Sequence, residues 1–131
     1  MSESMRRRRI LIIDDEVSIT LAISAYLTML GDCDVRIENQ ATRALAAAQE
    51  FRPDLIFLDI VMPDIDGGTL AAEIQGDPVL RGTPLVFLTA LVSPEETGGA
   101  PKEIGGHPFL AKPVHMETVL AFVDAHARER L

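Results

Sequence analysis

Several short apolar runs of this chain end in side chains that could do chemistry. The runs are continuous, as in strands that a parallel sheet buries on both faces. The residues that close or follow them are Asp14, Asp15, Asp59, Thr89 and Lys112. The carboxyl ends of parallel strands meet at one edge of the sheet, where open α/β sheets bind ligands, so we expect these side chains to converge in one crevice.

Three carboxylates in one crevice repel one another, and at least one pKa would rise unless a cation lay between them. Carboxylate oxygens and water are ligands that Mg²⁺ prefers. A lysine beside such a site adds a second positive charge, which suits the transfer of a phosphoryl group. Aspartate can be the nucleophile of that transfer and become an aspartyl phosphate. The set therefore predicts a Mg²⁺ site that receives a phosphoryl group.

Each of these residues also has an ordinary structural interpretation. Asp59 alone is explained as well by a turn that ends a strand, because Pro63, Asp66 and two glycines mark a loop just beyond it. Thr89 alone could simply end a strand, and Lys112 alone could be a surface charge. The chemical interpretation depends on the whole set.

Strand-like and helix-like segments alternate along the chain. Predicted strands cover residues 10–13, 35–37, 55–58, 85–88 and 109–111. Predicted helices cover residues 17–30, 41–51, 67–75 and 116–130, with Asp66 as the cap of the third. The alternation implies an α/β fold in which a parallel sheet carries helices on both faces.

Residues 93–106 are the weak place in this pattern. Ser93-Pro94-Glu95-Glu96 is a good helix start, with a capping serine and a proline at the first helical position. Gly98, Gly99 and Pro101 then interrupt the helix, and a proline inside a helix costs about 3 kcal/mol. We expect a fourth helix here that is short, broken or mobile.

The composition fits one domain without membrane insertion. The chain has 131 residues, 47% of them hydrophobic, and its apolar runs fall short of the roughly 20 residues that span a bilayer. The formal net charge of -8 argues against direct binding of nucleic acid.

Residues 1–9, which include four arginines, are interpreted as a lead-in to a domain at residues 10–131. A weak contact of these arginines with a membrane or nucleic acid is the minor alternative.

Cysteine and histidine add little chemistry. Cys33 is the only cysteine, which excludes an internal disulfide and favours the reducing cytoplasm. His107, His115 and His126 have no convincing metal-ligand spacing, and we predict that they lie on the surface.

Four motifs in this order give the chain a resemblance to a known family. They are Asp14-Asp15-Glu16, Leu58-Asp59-Ile60-Val61-Met62-Pro63, Leu88-Thr89-Ala90 and Phe109-Leu110-Ala111-Lys112-Pro113. Together they resemble the response-regulator receiver domain of two-component signalling, here of the single-domain type. The resemblance implies a flavodoxin-like, doubly wound, five-stranded parallel sheet of order 2-1-3-4-5 with five helices.

The resemblance assigns the chemistry of the site residue by residue. Asp59 would be the phosphoacceptor, and Lys112 would pair with the phosphoryl oxygens. Asp15 would bind Mg²⁺ directly, Asp14 would act mainly through a metal-bound water, and Asp59 and the backbone carbonyl of Val61 would complete the protein ligands.

The resemblance also implies a switch. The Thr89 hydroxyl would turn to the phosphoryl group, Ala90 would leave space for it, and Phe109 would turn inward as Thr89 moves. Lys112-Pro113 would be a cis peptide. Phe109 could instead be ordinary core, and Pro113 an ordinary helix start.

The function implied is a phosphoacceptor signalling module of a two-component system or phosphorelay. It would take its phosphoryl group from a sensor histidine kinase or phosphotransfer protein, switch its binding to a downstream protein, and not be a turnover enzyme. Residues 93–106 and Gly105-Gly106-His107-Pro108 depart from the family's usual pattern, so the output surface is the least direct inference.

Three other classes of function fit the sequence less well. A phosphatase of the haloacid dehalogenase type would carry a second aspartate at position 61, where this chain has Val61. A nucleotide-binding protein would carry a glycine-rich phosphate motif, and neither G-x-G-x-x-G nor G-x-x-x-x-G-K-[ST] occurs. A receiver-like module that is never phosphorylated would not need the acidic pair, Asp59 and Lys112.

Overall fold

A central sheet with helices on both faces makes up the part of the chain that the computed structural model describes, residues 7–90 and 103–127. The sheet has six strands in the order β2-β1-β3-β4-β6-β5. The strands are β1 (Arg8–Ile13), β2 (Cys33–Glu38), β3 (Leu55–Asp59), β4 (Leu85–Thr89), β5 (Glu103–Ile104) and β6 (His107–Ala111). The helices are α1 (Val17–Leu30), α2 (Ala44–Phe51, after a 3₁₀ turn at Ala41–Arg43), α3 (Gly67–Gly76) and α4 (Met116–His126).

The two faces of the sheet bury two separate cores, because successive side chains of a strand point to opposite faces. In β1, Leu11 and Ile13 pack on the side of α2 and α3, whereas Ile10 and Ile12 pack on the side of α1 and α4. Every residue of β3 and β4 is buried, as expected of central parallel strands. The flavodoxin-like α/β fold is confirmed.

The sheet differs from the expected one at one edge. We predicted five parallel strands, but β5 adds a sixth, which pairs antiparallel with β6. Gly105 and Gly106 have φ of 58° and 85°, a left-handed conformation that glycine adopts without steric cost and that reverses the chain between the two strands. The core order 2-1-3-4 holds, and the strand predicted at residues 109–111 is β6, which begins at His107.

The helix count also differs from the prediction. Four α-helices lie in the described residues, not five. The helix predicted to start at Ser93 lies outside those residues, and the described end of that segment is strand and turn. The last helix ends at His126 rather than at residue 130, because Ala127 has extended backbone with φ -64° and ψ 139°. Within the described ranges, no helix combines the length and hydrophobicity needed to cross a bilayer.

Candidate functional site

The three carboxylates predicted to converge do meet at the carboxyl edge of the sheet. Asp14 and Asp15 follow β1, and Asp59 ends β3, which pairs in parallel register with β1. One carboxylate oxygen of each residue lies within 4.8 Å of those of the other two. Asp14 and Asp59 are buried, whereas Asp15 is exposed. The predicted acidic cluster is therefore present, with one wall open to solvent.

Lys112 brings a positive charge into this cluster from the end of β6. Its ammonium Nζ lies 2.9 Å from Asp14 Oδ2 and 3.5 Å from Asp59 Oδ2. It also lies 2.9 Å from Glu16 Oε1. The lysine side chain is only 8% exposed, so its contacts with the buried Asp14 and Asp59 are poorly screened by solvent.

Two pKa values are shifted in this cluster, that of Asp59 in the direction that burial favours and that of Lys112 against it. Burial and the neighbouring Asp14 charge raise the pKa of Asp59 to about 7, although Lys112 and the Val61 N–H oppose the rise. Burial lowers the pKa of Lys112, but the contacts with Glu16, Asp14 and Asp59 outweigh it and raise that pKa to about 12. The lysine thus stays charged at neutral pH, and Asp14 and Asp59, when both are ionised, carry more negative charge than it neutralises.

The donor set fits a hard divalent cation. Asp14 Oδ2 is buried, and apart from its ion pair with Lys112 it has no hydrogen-bond partner among the residues that the structure describes. Three carboxylates with oxygens this close, one of them open to water, match the ligands of Mg²⁺, which takes carboxylates and keeps several waters. The residues are therefore compatible with a metal site at Asp14, Asp15 and Asp59.

Backbone and side-chain hydrogen bonds hold Asp14 in place. The Glu16 N–H donates to Asp14 Oδ1 at 2.9 Å, and the Asp14 N–H donates to the Glu38 carbonyl at 3.2 Å. Asn39 Nδ2 donates to the Asp14 carbonyl at 2.7 Å and to Thr20 Oγ1 at 3.1 Å. The end of β2 thus braces the acidic pair.

The loop after β3 packs tightly behind Asp59. The Val61 N–H donates to Asp59 Oδ1 at 3.2 Å, and the Gly67 N–H donates to the Ile60 carbonyl at 2.7 Å. A Cβ at position 67 would lie 2.6 Å from Ile60 Cα and 2.7 Å from the Asp59 carbonyl oxygen, so only glycine fits. Asp66 caps α3 by accepting from the Thr69 N–H at 3.1 Å, which fixes where the loop ends.

The residues of the predicted switch lie at the end of β4 and in β6. Thr89 is buried at the end of β4, and its carbonyl accepts a 2.7 Å hydrogen bond from the Lys112 N–H. Ala90 is exposed, and Phe109 is half-buried against the core on the α2 and α3 side. The Lys112-Pro113 peptide bond is cis. The roles of these residues in phosphorylation remain predictions.

Sequence reasoning missed two contributors to the site, Glu16 and Asn39, and placed His107 differently from the structure. Glu16 was only part of a motif, and its contact with Lys112 spans 96 residues. Asn39 gave no signal, because its role depends on the adjacent ends of two parallel strands. His107 was predicted on the surface but is half-buried, with its ring edge-on to Phe87 at 5.6 Å, because β6 begins there.

Comparisons with known proteins agree with this geometry. A family model described as the response regulator receiver domain matches residues 10–124. The DNA-binding dual master transcriptional regulator RpaA of Synechocystis sp. is 35% identical over 120 residues, which are 92% of this chain and 49% of RpaA. Protein PilG of Pseudomonas aeruginosa is 29% identical over 90% of this chain and 86% of PilG.

Solved structures show the same likeness. The chemotaxis response regulator CheY4 of Vibrio cholerae has a TM-score of 0.77 and 30% identity, covering 92% of this chain and 98% of CheY4. The BeF3-activated N-terminal receiver domain of RstA from Klebsiella pneumoniae has a TM-score of 0.73 and 29% identity, covering 92% of this chain and 99% of that domain. The chain spans about half the length of the first curated relatives it matches. It belongs to the response regulator receiver domain family.

Proposed function

We propose that Asp59 accepts a phosphoryl group from the phosphohistidine of a sensor histidine kinase or phosphotransfer protein, and that this changes the affinity for a downstream protein. The observation that carries the proposal is the convergence of Asp59 with Asp14, Asp15 and Lys112 at one edge of the sheet. Burial and the Asp14 charge raise the pKa of Asp59, and pKa values shifted by burial together with a specific charged neighbour cluster at functional sites.

In the proposed transfer, an Asp59 carboxylate oxygen attacks the phosphorus, and the bond from phosphorus to the donor's histidine nitrogen breaks. The leaving nitrogen keeps the electron pair. The Val61 N–H holds Asp59 Oδ1 at 3.2 Å, and Lys112 Nζ lies near Oδ2, so the carboxylate is fixed for attack. The Lys112 ammonium then neutralises part of the charge on the transferred group.

Asp14, Asp15, Asp59 and the carbonyl of Val61 are the proposed Mg²⁺ ligands. The ion would supply positive charge that screens the carboxylates from the phosphoryl oxygens. The protein's own part is to hold Asp14 through Glu16 and Asn39, and to leave Asp15 at the solvent side.

Thr89, Ala90 and Phe109 are the proposed route from the phosphoryl group to the surface. Thr89 ends the strand beside β3, and its carbonyl is tied to Lys112, so both residues can respond to a new group on Asp59. Phe109 is only half-buried, so an inward turn would bury more of its ring. The downstream partner would be a protein, because the charge of -8 disfavours direct contact with nucleic acid.

We propose that the chain is a switch rather than a turnover enzyme. The haloacid dehalogenase alternative needs a general acid two residues after the nucleophile, and Val61 provides none. Steady release of phosphate from small phosphate esters would favour that alternative. The free thiol of Cys33 suits a reducing compartment, and we propose the cytoplasm.

The direct test is phosphorylation by acetyl phosphate with Mg²⁺, followed by intact mass and mapping of the adduct. We expect one adduct on Asp59 in the wild type and none in Asp59→Asn. Asp64→Asn is a matched control: Asp64 is exposed in the same loop, and its φ of 75° is one that asparagine tolerates. An adduct that persists in Asp59→Asn, or that forms equally well with excess chelator, would refute the proposal.

A further inference from the structure

Glu16 forms an ion pair that the transfer described above does not use. Its Oε1 lies 2.9 Å from Lys112 Nζ, as close as Asp14 Oδ2 and closer than Asp59 Oδ2 at 3.5 Å. One ammonium therefore serves three carboxylates, and Asp59, the proposed acceptor, has the most distant of the three contacts.

The local structure explains why the Glu16 side chain reaches the lysine. Glu16 is the N-cap residue of α1, but its side chain makes no capping hydrogen bond. Its backbone N–H is already occupied by Asp14 Oδ1. The side chain is thus free to extend across the crevice to Lys112, while the backbone of the same residue positions Asp14.

The two closest partners of Lys112 differ in how easily they can release it. The Asp14 side chain is fully buried, so breaking its pair would leave an uncompensated buried charge. The Glu16 side chain is 53% exposed, and water can solvate its carboxylate when the pair breaks. A phosphoryl group that draws the ammonium toward Asp59 would therefore take it from Glu16.

We propose that Glu16 is a positioning residue that acts through Lys112, competing with the phosphoryl group on Asp59 for the ammonium and so weakening the phosphorylated state. This inference rests on the function proposed above. Because exposed ion pairs are weak, removal of the Glu16 carboxylate should strengthen binding of a phosphoryl mimic by about two- to fivefold.

The test compares the full chain with Glu16→Gln and Glu16→Ala. Glu16→Gln keeps the shape of the side chain, and Glu16→Ala also removes any hydrogen bond to Lys112. Beryllofluoride is titrated at a Mg²⁺ concentration shown to be saturating for each variant, and half-saturation is followed by amide NMR shifts. Glu117→Gln, in the exposed first turn of α4, is the control for loss of one negative charge.

We expect half-saturation at about two- to fivefold lower beryllofluoride in both Glu16 variants, with Glu117→Gln matching the wild type. Phosphorylation of Asp59 by acetyl phosphate should also reach a higher steady level in the Glu16 variants. A residue with a purely structural role would weaken binding when replaced, so weaker binding in either Glu16 variant overturns the inference. An increase in affinity for beryllofluoride equal to that of Glu117→Gln overturns it too. The increase would then come from the loss of one negative charge anywhere on the chain.

The results for the wild-type chain show whether the role of Glu16 or the proposed function itself has failed. A wild-type chain that neither binds beryllofluoride nor accepts a phosphoryl group on Asp59 refutes the proposed function, and the role of Glu16 falls with it. A wild type that does both, beside Glu16 variants that match Glu117→Gln, refutes the role of Glu16 alone.

Discussion

At the scale of single residues, the buried carboxylates of the site repel each other. Asp14 and Asp59 are both buried, and Lys112 is the one cation that contacts them among the described residues. Burial and the Asp14 charge keep the pKa of Asp59 near 7, far above the ordinary 3.8. Keeping Asp59 ionised at neutral pH therefore costs folding free energy unless a further cation binds.

In protein freed of metal by a chelator, the free energy of unfolding should depend on pH through Asp59. The folded chain holds the Asp59 proton up to about pH 7, whereas the unfolded chain releases it near 3.8. The group therefore lowers the free energy of unfolding as pH rises through that window. Asp59→Asn removes this loss, so we expect similar stability to wild type near pH 4. At pH 7.5 we expect a gain of up to about 4 kcal/mol, since each pKa unit between 3.8 and about 7 is worth about 1.4 kcal/mol.

Urea unfolding at a series of pH values measures this difference, with Asp64→Asn as the control. A variant that is less stable than wild type at pH 7.5, or a difference that does not change with pH, would contradict the electrostatic account of Asp59.

At the scale of elements, the loop between β3 and α3 depends on one close approach. Gly67 starts α3 directly against the backbone of Asp59 and Ile60. The atoms that a Cβ would meet belong to the backbone, so no side chain can move aside to make room. The same loop carries the Val61 N–H that holds Asp59.

Gly67→Ala should therefore destabilise the chain by about 2–3 kcal/mol and reduce phosphorylation of Asp59, because the loop must shift. Gly76→Ala is the matched control on the same helix, since a Cβ there meets nothing within 4 Å. We expect it to be neutral or stabilising by up to about 1 kcal/mol. Urea unfolding and acetyl phosphate labelling measure both effects. Equal stability of the two variants would contradict the steric account.

The elements also show how far sequence alone could go. The central strands and the acidic edge were predictable, because buried parallel strands are apolar throughout and end where polar residues begin. β5 was not, because a two-residue strand has no periodicity and exists only through the Gly105-Gly106 turn. The Glu16 contact was not predictable either, because a long exposed side chain can reach several partners and only the folded geometry selects Lys112.

At the scale of the whole molecule, metal binding and folding should be linked. A cation held by Asp14, Asp15 and Asp59 would bind the folded chain and relieve its repulsion, so Mg²⁺ should raise the melting temperature. At one hundred times the dissociation constant, the stabilisation is about 2.7 kcal/mol.

Asp15→Asn tests this linkage, because Asp15 is exposed and its replacement should leave the metal-free fold intact. We expect its melting temperature without metal to match wild type and its response to Mg²⁺ to be much smaller. Thermal unfolding with chelator and with Mg²⁺ measures both. If Mg²⁺ raises the melting temperature of the variant as much as that of the wild type, Asp15 is not a ligand of the metal.

The two edge strands of the described sheet affect how copies of this chain can associate. β5, the outermost strand beside β6, is only two residues long, and β2 at the opposite border carries Asp34, Arg36 and Glu38 at alternate positions. Short and charged edge strands are poor templates for backbone pairing with a neighbouring molecule. Crowded copies of this chain should therefore resist pairing edge to edge into fibres.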